Sequence, residues 1–92
     1  MKLFVDTWGW LTLRDRGEAR HREVVDFYNH FHSQGGSVYT TDYVLDETFT
    51  LLFRRLPFSQ AQESVEILEE AVMILTGDIH FTHVGMGLQI VP

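Results

Sequence analysis

The chain has 92 residues, 45% of them hydrophobic, which is room for one domain with a buried core. Its net charge of −6 speaks against simple non-specific nucleic-acid binding, and its lack of cysteine excludes disulfides, thiolate metal sites and a cysteine nucleophile. No apolar run reaches membrane-spanning length and no signal-peptide pattern opens the chain, so the expectation is a cytoplasmic protein without membrane contact.

Leu3-Phe4-Val5 is a run of consecutive apolar residues, the pattern of a short strand covered on both faces, and it stops on Asp6. A helix-like run, Trp8 to Leu13, follows at once. Gly17 to Gln34 reads as an amphipathic helix with Val24, Phe27, Tyr28 and Phe31 on one face, ended by Gly35-Gly36. Ser37 to Thr41 is rich in β-formers and reads as a second strand. Thr41 or Asp42 then caps a third helix over about Tyr43 to Arg55. Pro57 marks a break, and Ser59 opens a fourth helix with a capping-box match to Gln62 and a stripe of Ala61, Val65, Leu68 and Val72. Residues 72–76 read either as a buried strand or as an extension of that helix capped by Gly77, because no turn residue separates them from it. Leu88 to Val91 reads as a final strand after the turn residues Gly85 and Gly87. The order β-α-α-β-α-α-(β)-β suits an α/β domain: a short parallel sheet flanked by helices.

Ligands of open α/β sheets bind beyond the carboxyl ends of the strands. An acid there is a metal or catalytic candidate, although Asp6 judged on its own residues is also a good helix N-cap. Glu47 lies in the first half of the third helix, bordered at helical spacing by Tyr43, Val44 and Leu51. Its other reading is a partly buried acid paired with Arg54 or Arg55. Asp78 follows the Met73–Leu75 run. Parallel strands bring Asp6, Glu47 and Asp78 to one edge, where three carboxylates repel unless a cation sits among them. All-oxygen donors suit Mg²⁺ or Mn²⁺, which clamp phosphate oxygens and activate water. Six of the seven basic residues form two groups, Arg14, Arg16, Arg20 and Arg22, then Arg54 and Arg55. The first half can therefore present a basic surface despite the overall sign.

Two stretches carry a family resemblance. Leu3-Phe4-Val5-Asp6-Thr7-Trp8-Gly9-Trp10, His21 and Tyr39-Thr40-Thr41-Asp42-Tyr43-Val44-Leu45-Asp46-Glu47-Thr48 resemble a PIN domain, with the VapC toxins of bacterial toxin–antitoxin pairs as the nearest branch. Leu75-Thr76-Gly77-Asp78-Ile79-His80-Phe81, followed by Val84-Gly85-Met86 and the closing strand, is similar to the last motif of that family. The resemblance implies a Mg²⁺- or Mn²⁺-dependent ribonuclease. Asp6, Glu47 and Asp78 would be its catalytic and metal-binding acids, and Thr76 the supporting hydroxyl residue. Water would attack an RNA phosphodiester in line, with Arg14, Arg16, Arg54 and Arg55 as candidates to hold phosphates.

The chain departs from that pattern at one place. Family members carry a further acid, in a Ser-x-x-Asp-like turn between the fourth helix and the final Asp motif, and this sequence has no room for it. It resembles a single PIN domain, residues 1–92, incomplete between about residues 71 and 74. Loss of that acid weakens metal binding. The missing strand and helices leave apolar surface for a partner to cover, so a homodimer, with elements exchanged between chains, and a VapB-like antitoxin are the expected partners besides RNA.

Two readings follow. One is a toxin endoribonuclease impaired by the lost acid. The other is an inactive PIN-like relic that serves as a dimerisation or antitoxin-binding module. The histidines add little: His30 and His32 do not share a helix face, and His80 and His83 with Asp78 could imitate a metal cluster, but His80-Phe81 is accounted for by the family motif. Trp8 and Trp10, at the start of the first helix, read as core or dimer-interface residues rather than RNA-stacking platforms.

Overall fold

A computed structural model describes residues 2–71, 73–74, 82–85 and 88–91. The element order is β1 (Lys2–Val5), α1 (Thr7–Arg14), α2 (His21–Ser33), β2 (Ser37–Thr40), α3 (Asp42–Arg55), α4 (Phe58–Ala71), β3 (Met73–Ile74), β4 (Thr82–Gly85) and β5 (Leu88–Val91). The strands form one sheet in the order β3-β2-β1-β5-β4. β1 and β2 are parallel, pairing Leu3 with Val38 and Phe4 with Tyr39. β3 is parallel to β2, and β5 is antiparallel to both β1 and β4.

The central strand is buried on both faces, as its unbroken apolar run requires. Leu3 and Val5 are fully buried on one face and Phe4 is buried on the other. Leu3 and Val5 join Val38 of β2, Trp10 and Leu11 of α1, Phe31 of α2, Leu45 and Leu52 of α3, and Ala61 and Leu68 of α4 in one core cluster. α1 packs on α2 and α3, and α3 packs on α4. The polar tie inside this core is the Trp10 indole N–H, which donates to Thr40 Oγ1 at 3.3 Å. The Thr40 hydroxyl in turn donates to the Val5 carbonyl at 3.1 Å, so α1, β2 and β1 are joined where the two strands end.

The turn after α2 depends on its glycines. Gly35 adopts φ +78°, a left-handed conformation that side chains resist. A Cβ on Gly36 would overlap the Phe31 ring, which closes under the turn.

Several boundaries differ from the sequence expectation. α2 begins at His21 rather than near Gly17. Residues 15–18 instead form a turn: Asp15 Oδ1 accepts the Gly17 N–H at 2.9 Å and its carbonyl the Glu18 N–H at 3.1 Å. α4 begins at Phe58, with the Pro57 carbonyl accepting the Ala61 N–H, so Ser59 lies inside the helix rather than capping it. Residues 73–74 are strand, not helix, while residues 72, 75 and 76 lie outside the described residues. β4 is a strand the sequence pattern did not disclose, pairing with β5 across a register shift between His83 and Gly85. Trp10 is core, but Trp8 is 57% exposed and is not.

Candidate metal centre and nucleic-acid groove

β1 delivers Asp6 to the carboxyl edge of the sheet, where it is the N-cap of α1. Its Oδ1 accepts the Gly9 N–H at 3.2 Å. This cap leaves Oδ2 without a hydrogen bond among the described residues, so capping occupies one oxygen and leaves the other open. β2 ends beside β1 on the same edge, and Thr41 caps α3 by accepting the Val44 N–H at 3.2 Å. Asp6 and the start of α3 are therefore placed by the same device: a parallel strand that stops on a side-chain cap.

Glu47 lies five residues beyond Asp42 in α3 and is exposed. Tyr43, Asp46, Glu47, Thr50, Leu51 and Arg54 line an open groove of about 530 Å³ along that helix. The apolar neighbours expected from helical spacing, Tyr43 and Leu51, are there, but the groove is open and Glu47 reaches water. Glu47 makes no ion pair among the described residues, and neither Arg54 nor Arg55 takes it. One residue on, Thr48 is fully buried and its Oγ1 has no hydrogen-bond partner among the described residues.

Asp78 and Thr76 lie outside the described residues; of the other two acids, Asp6 follows β1 and Glu47 lies in α3, the helix that follows the neighbouring parallel strand. Among the described residues no group of three potential metal ligands forms. The donors that are in place, an uncommitted Asp6 oxygen and a Glu47 carboxylate free of arginine, are hard oxygens of the kind Mg²⁺ and Mn²⁺ select. In donor chemistry the residues present fit such a cation.

The four candidate arginines occupy three different settings. Arg54 lines the Glu47 groove. Arg14 is half-buried and its Nε donates to the buried Ser64 Oγ at 2.9 Å. Arg14 and exposed Arg16 flank a second cavity, of about 450 Å³, with Asp15, Gln60 and Glu63. Arg55 donates to Glu18, lies 3.7 Å from Asp15, and places its guanidinium 5.3 Å from the centre of the Trp8 ring. Arg55 thus already has two carboxylates and an aromatic face. The residue that sequence reasoning passed over is Tyr43, 75% exposed on the groove that holds Glu47 and Arg54. Its signal was the four-residue spacing to Glu47, which puts both on one helix face.

An α/β sheet with an acid ending β1 and a second acid on the helix after β2 is the arrangement of a PIN domain. A search of solved structures returns the crystal structure of Mycobacterium tuberculosis VapC20, described as a sarcin–ricin loop cleaving toxin, with a TM-score of 0.64 and 35% sequence identity. The match covers 80% of this chain and 55% of that one, so the chain spans about half the length of the toxin it matches. No protein-family model and no curated protein matches the chain. The chain has a VapC-like PIN fold.

Proposed function

We propose that this chain is a VapC-like, metal-dependent endoribonuclease, the toxin of a toxin–antitoxin pair, working with a reduced set of acids. The observation that carries the reading is the shared sheet edge: Asp6 ends β1, and α3 with Glu47 leaves β2 beside it. β3, parallel to both, ends at Ile74, four residues before Asp78. The likeness to VapC20 supports it.

In this reading Asp6, Glu47 and Asp78 hold Mg²⁺ or Mn²⁺, with Thr76 beside the last acid. When bound, the cation supplies charge neutralisation at a phosphodiester and an activated water. The chain's own residues set the geometry. The Gly9 amide holds the Asp6 carboxylate by one oxygen, and α3 presents Glu47 to the groove. Arg54 on that groove meets the phosphates of RNA, with exposed Arg16 as a further candidate, whereas Arg14 is held by Ser64 and Arg55 by Glu18 and Asp15. α4 ends at Ala71 and β3 starts at Met73, a connection shorter than helix-to-strand loops normally take. This supports an internal deletion near residues 71–74, which removes the family's further acid and lowers cation affinity. A VapB-like antitoxin and a second copy of the chain are the protein partners, both in the cytoplasm.

The second reading, an inactive relic kept as a dimerisation or antitoxin-binding module, is favoured by a different observation. Phe53, Phe58 and Ile67 of α3 and α4 are exposed, which suits a surface covered by another chain. The experiment that separates the two is RNA cleavage with Mn²⁺ by the purified chain and by Asp6→Asn, with ribosomal RNA among the substrates. Cleavage by the wild type alone supports the enzyme. Equal, background cleavage by both leaves the relic.

A further inference from the structure

We propose that Tyr43 is a base-stacking subsite, holding an unpaired base of single-stranded RNA beside the phosphate addressed by Glu47. The inference rests on the ribonuclease reading and adds to it a residue that recognises an unpaired base.

Tyr43, Glu47 and Arg54 line one groove. Along an α-helix their separations correspond to a rise of about 6 Å from Tyr43 to Glu47 and about 10 Å from Glu47 to Arg54. The first is close to the distance between neighbouring nucleotides of an extended strand, and the second is within reach of a long arginine side chain. An aromatic ring, an acid and a cation in line therefore match a base, a reacting phosphate and a neighbouring phosphate. Tyr43 is the most exposed of the large apolar residues among those whose burial is described, at 75%. A phenol ring so open to water, on a groove that carries both an acid and a cation, gains by being covered with a flat partner. A base supplies one without sequence preference, because every base has a π-face. The other exposed aromatic near this edge, Trp8, already has the Arg55 guanidinium over its ring. A paired helix would keep its bases stacked on each other, so this subsite discriminates against duplex RNA.

The test uses the full chain and two RNA probes of one sequence, a fluorescein-labelled single strand and the same strand in a duplex. Binding is read by anisotropy in the Asp6→Asn background, which prevents cleavage, and cleavage is read separately with Asp6 intact. Tyr43→Ala should weaken single-strand binding roughly five- to a hundredfold, the loss of one stacked base. Tyr43→Phe should retain it, and duplex binding should change little. In cleavage, Tyr43→Ala should raise KM with kcat nearly unchanged. Equal single-strand binding by Tyr43→Ala and wild type overturns the subsite while leaving the ribonuclease reading intact. So does an equal loss in Tyr43→Phe, which would point to the hydroxyl. A wild type that is dimeric where Tyr43→Ala is monomeric overturns it in favour of an interface between copies. If the wild type neither binds nor cleaves RNA, the ribonuclease reading fails and the subsite with it. Tyr43-dependent binding without cleavage keeps the subsite and removes the nuclease.

Discussion

Asp6 Oδ1 accepts the Gly9 N–H at 3.2 Å, so the residue that opens the candidate metal centre also starts helix α1. The two roles can be separated because Asn and Asp cap helices about equally well, whereas Asn carries no charge.

The first prediction is a split between two substitutions at one position. Asp6→Asn should melt within about 0.5 kcal/mol of wild type, and Asp6→Ala should lose about 1 kcal/mol, the usual value of an N-cap. Both should lose Mn²⁺-dependent RNA cleavage. Denaturant unfolding beside a cleavage assay checks this. Activity that tracks stability across the pair, rather than charge, would show that Asp6 acts only as a cap.

The second concerns the core link between Trp10 and Thr40. Thr40→Val keeps the shape of the side chain but leaves the indole N–H without its acceptor and the Val5 carbonyl without that donor, all within a fully buried site. Leaving a buried polar group unsatisfied costs about 1–3 kcal/mol. A loss in that range or somewhat above it is expected on urea unfolding, and an unchanged midpoint would mean that the tie is unimportant.

The third follows Arg55. It is paired with Glu18 and Asp15, and the side chains concerned are 21–31% exposed. Arg55→Met should cost about 0.5–1 kcal/mol at low ionic strength, with the gap narrowing at about 1 M salt. It should also change the emission of Trp8, whose ring the guanidinium covers, because Trp10 stays fully buried. Emission identical to wild type would place Arg55 away from that ring in solution.

The fourth is a pH effect. Burial pushes the Tyr28 phenol above its ordinary value. The folded state thus holds that proton more tightly than the unfolded state does. The stabilisation is complete below the unfolded pKa of about 10 and is lost as pH rises through the higher folded value. Stability measured across the alkaline range should fall more steeply for wild type than for Tyr28→Phe, and parallel curves would contradict the assignment.

How far the sequence disclosed this molecule depends on which signal each segment carries. β1, α1, β2 and α3 were readable because apolar runs end on the capping residues Asp6 and Thr41, and both caps form as expected. The start of α2 was not, because Asp15 accepts the Gly17 and Glu18 amides in a turn that precedes the helix, which begins at His21. β4 was hidden because Thr82-His83-Val84-Gly85 has no apolar alternation, and its pairing is set by β5. Trp8 and Trp10 were grouped together, yet residues two apart on a helix point to different sides, so one is core and the other is exposed. For the candidate acids, the placement of Asp6 at the end of β1 and of Glu47 in the helix after β2 was legible from the strands that precede them. The openness of the Glu47 groove was not, since it depends on which elements cover α3 rather than on α3 itself. Asp78 lies outside the described residues.

Mn²⁺ binding by the wild type, Asp6→Asn, Glu47→Gln and Asp78→Asn, measured by calorimetry, tests most directly whether these three acids form one metal centre. The account predicts one site in the wild type that each of the three substitutions weakens severely. A wild type that binds no Mn²⁺, or an Asp78→Asn variant that binds it as the wild type does, would contradict the account.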